Sequence, residues 1–419
     1  MTLPNIVLVT IDSLRADKCG YINDTDLTPE LDAMAEQGIA FRNAVSPGNA
    51  TYESMPSIWS GRLMHPVRSS ENSRLDQMNR QKRTNMRTET LPEMLQRQGY
   101  TCGAFTVNPH TDRTSPFSRG FDKYEDFLSD ESSQIEQVMT QNPYLHRLIH
   151  MYRTITGKRA ARPIKDYYDE AIEWMNSSDE PFFLWLFVLD PHTPYLPSSE
   201  YRSGPTASMI LENARLVLKN IAGVNPNPER LEAWYEDTIR ETDDFLGNLR
   251  QDLPEDTTTI IHSDHGEAFG SLDHGEYGHQ SHLYDENIHV PLVIDTPEYN
   301  EIVSDPVSLT DIPDITASLL NGEFNHPERK AAFSRVLEPN KIAARTEDQK
   351  YIISLSEDSA IDSIEVYDLH ADVNEADSVN PKTGEDYKIL QAMFQHLSHE
   401  KELQAIGYSI EDMSLSPIC

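Results

Sequence analysis

An α/β fold, one large domain with a smaller one beside it, is what three features of the sequence predict. Asn5 to Thr10, NIVLVT, and Thr258 to Ile261, TTII, are β-branched runs of the kind buried on both faces at the centre of a parallel sheet. Helix-spaced segments lie between such runs, the alternation that builds an open α/β sheet. A chain of 419 residues buries a large core and still has length for a second, smaller unit.

Composition narrows the partners. With 35 Lys and Arg against 69 Asp and Glu, the formal charge of −34 repels nucleic acid and anionic membranes. The acidic residues are spread along the whole length, as in proteins kept soluble in concentrated salt, where screening removes most of the self-repulsion. A halophilic cytoplasm is the expected setting. Cys19, Cys102 and Cys419 are too few and too scattered for a disulfide framework or a thiolate metal site. MTLPNIVLVTIDS has no basic leader, and FFLWLFVL is far short of a membrane span, so a soluble intracellular protein is expected.

The first strand runs into Asp12, Ser13, Arg15 and Asp17, which puts Asp12 at a strand tip, the edge where open α/β sheets bind ligands. Capping the next helix is the other use of an aspartate there. Thr28 to Gly38 reads as a helix, with Leu31, Met34 and Ala35 on one face, Pro29 at its first position and Gly38 as C-cap. Phe41 to Val45 leads through a turn-rich stretch into a helix starting near Thr51, and Thr51, Ser54, Ser57 and Ser60 line one side of it. A hydroxyl at that N-terminus faces unpaired N–H groups, a place suited to a tetrahedral oxyanion; a simple N-cap with a small-residue packing face is the alternative.

Thr101 to His110 reads as a strand ending in polar Asn108 and His110, with Asn108 either a hydrogen-bond donor or a turn residue before Pro109. Glu125 to Lys165 is a polar insertion whose basic patch, Lys158 to Arg162, meets either solvent or an anion. The helix Tyr167 to Asn176 precedes the strand Phe182 to Leu189, tipped by Asp190-Pro191-His192-Thr193-Pro194. After a second insertion, Ser198 to Asn227, comes a long helix from Glu232 to Leu249 with Tyr235, Ile239, Thr242 and Leu246 on its sheet-facing stripe.

The strand at Thr258 ends in Ser263-Asp264-His265-Gly266, an acid and an imidazole at a tip where glycine lets the chain turn sharply. Asp12, Asp264 and His265 can therefore share one hard divalent cation. A Gly-rich loop with His274, His279 and His282 follows, then the strand His289 to Asp295. A helix from Asp311 to Leu320, strands within Ala332 to Leu355 and Ile364 to Leu369, and a helix from Ile389 to Leu397 complete the chain.

Taken in order, NIVLVTIDSLRADKCGY, LTPELDAMAEQGIAFRNAVSPG, SIWSGR, TLPEMLQRQGYTCGAFTVNPH, SRGFDKYEDF, FFLWLFVLDPHTPYLP, SDHGEAFG, GHQSHLYDENIHVPLVI and IEVYDLHADVNEA resemble segments of the sulfatase-like branch of the alkaline phosphatase superfamily, from about residue 5 to about 378. The resemblance implies an alkaline-phosphatase-like sandwich: a large central, mostly parallel sheet flanked by helices, plus a small C-terminal α+β subdomain. The corresponding units are 1–325, with insertions near 125–165 and 198–227, and 326–419.

It also implies a nucleophile on the helix ending in SGR. Sulfatases carry C-x-P-S-R followed by T-G-R, and the leading cysteine or serine becomes formylglycine. Counting back from Gly61 puts Thr51 at the head, Ser54 on the serine, Glu53 on the proline and Met55 on the arginine. A competing register places Ser54-Met55-Pro56-Ser57 on the pattern, restoring the proline but breaking the spacing to SGR. Threonine gives at most a ketone, so Thr51 is expected to act as a hydroxyl.

By the same resemblance His192 and His279 join Thr51 in catalysis, His279 being picked out by its G-H before Leu283-Tyr284. Asp190 joins Asp12, Asp264 and His265 as a metal ligand, for one or two ions of calcium, manganese, zinc or magnesium. The family's lysine near Asn108 is absent, and Asn108, His110, Arg15 and Arg62 are the expected contacts to a small anionic ester. The expected activity is metal-dependent hydrolysis of phosphate mono- or diesters. A true sulfatase, a phosphoryl-headgroup transferase and a non-catalytic binding protein are the rivals; the oligomeric state stays open.

Overall fold

The computed structural model describes residues 3–67, 74–127, 163–270, 274–279, 282–356, 359–382 and 384–414, with backbone alone at 74–77, 220–222 and 403–414. Its centre is an eight-stranded sheet in the order Glu301–Val303, Ile39–Phe41, Leu292–Asp295, Thr257–Ser263, Asn5–Ile11, Phe182–Val188, Thr101–Phe105, Lys123–Glu125. Only Leu292–Asp295 runs against its neighbours; every other pair is parallel. The three middle strands are buried at every position, which is why none alternates between apolar and exposed polar residues. Ile11 pairs with both Ser263 and Val188, so the C-terminal ends of these three strands lie level.

Alternate residues of each strand face opposite layers. Val7, Val9 and Leu184 pack under a layer that includes Leu31, Ala171 and Tyr235, whereas Ile6, Leu8 and Trp185 pack under Ile58, Trp59, Leu95 and Ile315. Trp59 and Trp185 meet with ring centroids 4.5 Å apart; burying one large apolar side chain contributes roughly 1.5–3 kcal/mol. The Tyr235, Ile239, Thr242 and Leu246 stripe is buried as its spacing implied, within a helix that runs from Pro228 to Asp252.

A four-stranded antiparallel meander, Ala332–Val336, Lys341–Arg345, Gln349–Leu355 and Ile361–Asp368, forms the second sheet. Its Ile342, Tyr351 and Ile353 pack against Ile389, Leu390, Met393 and Leu397 of the helix Gly384–Ser414. That helix is far longer than the Ile389 to Leu397 segment its apolar spacing suggested. The strand expected from His289 begins only at Leu292, and His289 makes an isolated bridge to Val45. Two helices, Arg74–Asn85 and Leu91–Arg97, had no expectation attached. The first, RLDQMNRQKRTN, carries only Leu75 and Met78 as apolar residues and so shows no stripe; the second is announced by a Thr90–Glu93 capping box. The basic patch Lys158 to Arg162 and Cys419 lie outside the described residues, while Cys19 and Cys102 are buried free thiols. Among the described residues no helix is long and apolar enough to cross a membrane.

The second sheet is fastened to the large domain by Asp285, which accepts from Arg345 at 2.9 Å and pairs with fully buried Lys350. His289 stands in this cluster with Nε2 on the Arg42 carbonyl at 2.9 Å. Burial, then the Arg345 charge, push its pKa down to about 4. A histidine depressed in the folded state keeps full stability above its ordinary pKa near 6.5 and loses it as pH falls from there towards 4. Acidification across that window is expected to cost on the order of 2 kcal/mol at this position. Denaturant unfolding at several pH values checks it: His289→Gln should show a shallower pH slope than the parent, and an identical slope counts against the assignment.

Candidate active site

Level strand ends set the geometry. Asp12 follows Ile11 and Asp264 follows Ser263, so two strands paired in register deliver their carboxylates side by side, 252 positions apart in sequence. The Asp12 N–H is anchored on the Val188 carbonyl at 2.8 Å and the Asp264 N–H on Ile11 at 3.2 Å. His265 comes next, where the chain turns: a Cβ on Gly266 would lie 2.1 Å from the Glu286 carbonyl, so only glycine passes there. Asp12, Asp264 and His265 are all fully buried, with one ligand atom of each within 4.8 Å of the others.

His265 has its proton placed by its surroundings. Nδ1 donates to the Gly266 carbonyl at 2.9 Å, leaving the Nε2 lone pair facing Asp12 Oδ1 at 3.4 Å, Asp264 Oδ2 at 3.6 Å and Thr51 Oγ1 at 3.3 Å. Burial lowers the imidazole's pKa to about 3, with His279 adding to the effect. Burial raises Asp264 to about 6, and burial plus the charge of Asp264 raises Asp12. Asp264 Oδ2 has no hydrogen-bond partner among the described residues. Two carboxylates, one with an orphaned oxygen, and a neutral imidazole lone pair form a hard donor set lacking only positive charge, and a divalent cation fits it.

Thr51 opens the helix Thr51–Ser60, behind an extended Ala50 that offers no side-chain cap. Its hydroxyl lies between His265 Nε2 and Asn108 Nδ2, each at 3.3 Å. The Asn108 amide also donates to Asp12 Oδ2 at 2.8 Å, and its Oδ1 accepts from the His110 N–H at 2.8 Å, which fixes the NH2 inward. Ser54 Oγ, one turn on, is buried with no partner among the described residues, while Ser57 and Ser60 donate back to the carbonyls of Glu53 and Pro56. Of the four hydroxyls in the row, Thr51 alone touches the group.

Two further imidazoles close the site. His279 stacks beside His265 with ring centroids 4.3 Å apart, and His192 stands 5.2 Å from His279. His192 Nδ1 is engaged by the Thr193 carbonyl at 2.6 Å.

The remaining candidates sit differently. Asp190 turns away, Oδ2 accepting the Ile164 N–H at 3.1 Å, and does not join the Asp12 group. Arg15 is buried but committed: Nε and Nη2 bind Asp17 at 2.8 and 2.7 Å and Nη1 binds the Glu267 carbonyl at 3.2 Å. Arg62 is exposed past the far end of the Thr51 helix, roughly 16 Å of helical rise from the hydroxyl. His110 is half-buried near Tyr52, ring centroids 6.4 Å apart, and its carbonyl accepts from Lys82 Nζ at 2.7 Å.

Sequence reasoning passed over two residues. Ser13 has a left-handed φ of 68° and donates from Oγ to Asp12 Oδ1 at 3.0 Å, with its carbonyl held by the Tyr235 hydroxyl at 2.8 Å. A non-glycine residue in that conformation costs of order 1–3 kcal/mol and concentrates at functional sites. Glu267 is fully buried against His279, Oε1 to Nδ1 at 3.2 Å. Its place two residues after His265 was visible; its partner was not.

A family model described as Sulfatase matches residues 4–322. An ulvan-active sulfatase of Formosa agariphila is 26% identical over 341 residues, covering 76% of this chain and 61% of that protein. Arylsulfatase K of Canis lupus familiaris is 26% identical over 349 residues, covering 74% and 62%. The chain thus spans about three fifths of the length of these curated relatives. Among solved structures, the phosphonate monoester hydrolase of Agrobacterium radiobacter superposes with a TM-score of 0.65 at 18% identity, covering 96% of each chain. A protein solved in complex with its substrate D-glucosamine-2-N,6-O-disulfate matches with a TM-score of 0.65 at 18% identity, covering 96% of this chain and 98% of that one. At such identity these likenesses establish the fold, the sandwich with its large central sheet.

Proposed function

This chain belongs to the sulfatase family, and from that membership we propose a metal-dependent ester hydrolase that uses Thr51 as its nucleophile on phosphate mono- or diesters. The observation that carries the proposal is the Thr51 hydroxyl, 3.3 Å from His265 Nε2 at the edge of the Asp12, Asp264 and His265 donor set, where formylglycine precursors are cysteine or serine. A divalent cation on that donor set supplies the charge that makes a threonine hydroxyl acidic and offsets the negative charge of a bound ester.

The chain's own groups divide the remaining work. Asn108, its NH2 aimed at Thr51 and Asp12, donates to a non-bridging oxygen of the substrate. Thr51 gives its proton to solvent as Oγ forms a bond to phosphorus and the bond to the leaving oxygen breaks, and the protonated form of His279, with His192 beside it, stabilises that oxygen and gives it a proton. Water then attacks phosphorus from the vacated side and gives a proton back to the His279 imidazole, while Thr51 Oγ leaves and takes a proton from solvent, releasing phosphate from a monoester or a phosphate monoester from a diester. One hard displacement becomes two easier ones.

The family's named relatives favour a second reading, a sulfate ester hydrolase. Turnover of nitrophenyl phosphate, bis-nitrophenyl phosphate and nitrophenyl sulfate across magnesium, manganese, calcium and zinc separates the two. The expected result is phosphoester turnover well above sulfate-ester turnover, together with an unmodified mass for the peptide spanning Asn49 to Arg62. A sulfate ester as the best substrate, or an aldehyde mass within that peptide, would replace the first reading with the second. The −34 charge still supports a high-salt environment as part of the proposal.

A further inference from the structure

We propose that Glu267 is a positioning residue: its carboxylate grips His279 by Nδ1 and so presents Nε2 of that imidazole to the substrate's leaving oxygen. The inference rests on the reading of the site given above and adds to it the group that orients one of its imidazoles.

Local topology makes the pair. Ala268–Phe269 and Tyr277–Gly278 form a two-stranded antiparallel ribbon in which Ala268 faces Gly278. One step further along the same register, Glu267 faces His279, at the separation of cross-strand neighbours. Gly278, with φ of 85°, brings the second strand round in a conformation that side-chain-bearing residues rarely adopt, and a Cβ there would already lie 3.6 Å from Glu267 Oε1. The Glu267 main chain is pinned as well, its carbonyl accepting from Arg15 Nη1 at 3.2 Å. Arg15, whose charge is matched by Asp17, therefore serves the site through this carbonyl.

Glu267 is fully buried, Oε1 meets His279 Nδ1 at 3.2 Å, and the carboxylate also stands against the Tyr195 hydroxyl, whose pKa burial and then Glu267 raise. Burying a carboxylate is costly unless it is paired, and its charged partner here is His279. What a carboxylate does at this place is to hold a ring: a neutral imidazole has one N–H, and an acceptor at Nδ1 fixes both the tautomer and the ring plane. His279 Nε2 is then left without a protein partner among the described residues. His192, its Nδ1 on the Thr193 carbonyl, is likewise held by that nitrogen, its ring centroid 5.2 Å from that of His279 and its plane tilted by 56°.

Nitrogen NMR of the histidine-labelled full chain with magnesium, at a pH where the ring is neutral, reads the tautomer directly, with the His279 signals identified by their loss in His279→Asn. In the parent and in Glu267→Gln, whose amide oxygen can accept the same bond, the proton is expected on Nδ1. In Glu267→Ala it is expected to move to Nε2, the site free imidazole prefers. A parent protein with the proton on Nε2, or a Glu267→Ala tautomer equal to the parent's, overturns the proposal; the parent spectrum alone decides if the alanine variant does not fold. In turnover of bis-nitrophenyl phosphate, Glu267→Ala should lower kcat about 10- to 100-fold with KM changed less than about threefold, and Glu267→Gln should recover most of the loss. Equal kcat in all three contradicts it. Unchanged turnover in Thr51→Ala would remove the covalent scheme and leave the tautomer result standing, so the two failures are separable.

Discussion

Thr51→Ala is expected to lower kcat at least about a thousandfold on whichever phosphoester the parent turns over, because the other hydroxyl beside the donor set among the described residues, Ser13 Oγ, is engaged as a donor to Asp12 Oδ1. Ser54 is the nearest alternative in sequence, and its hydroxyl is one turn away, buried without a partner among the described residues. Thr51→Ser, which keeps the oxygen, should retain far more activity. Stability should hardly distinguish the variants, since Thr51 makes no side-chain cap at the start of its helix; a thermal melt beside the kinetics separates loss of chemistry from loss of fold. Parent-like turnover by Thr51→Ala would mean that the hydroxyl is a bystander.

The second large effect concerns charge at the strand tips. With no cation, burial raises the pKa of both Asp12 and Asp264, and the charge of Asp264 raises Asp12 further, so the metal-free protein is expected to be the less stable form and to be inactive. Adding a divalent cation at a hundred times its Kd should raise the unfolding free energy by about 2.7 kcal/mol. Asp264→Asn removes the like-charge pair and one strong ligand together. It should lose both turnover and the metal-dependent rise in melting temperature, while its metal-free form melts no lower than the metal-free parent. A parent protein whose melting and activity ignore chelator would refute the donor set as a metal site.

How the site lies in the sequence explains what could be read there. Asp12 and Asp264 are 252 positions apart, yet each ends an all-buried strand, and parallel strands side by side leave their tips on one edge. That rule brought Asp12, Asp264 and His265 together, and the hydroxyl row pointed to the helix whose first turn carries Thr51. What stayed hidden depended on contacts no periodicity encodes. Asp190 satisfies the Ile164 N–H, a partner within an insertion of unreadable path. The Glu267–His279 pair hangs on the register of strands two residues long, below the length at which alternation gives any signal. Ser13 adopts a left-handed conformation although it is not glycine, a choice made by the Tyr235 hydroxyl and the strand tips around it. Arg15 and Arg62 were expected on a small anionic ester, and geometry commits the first to Asp17 and leaves the second at the far end of the Thr51 helix.

Anomalous diffraction from manganese-soaked crystals tests the convergence of Thr51 with the acid and imidazole tips most directly. One strong peak is predicted within bonding distance of Asp12, Asp264 and His265, with the Thr51 hydroxyl turned towards it. Manganese bound elsewhere with that position empty, or a peak at the tips with Thr51 facing away, would contradict it.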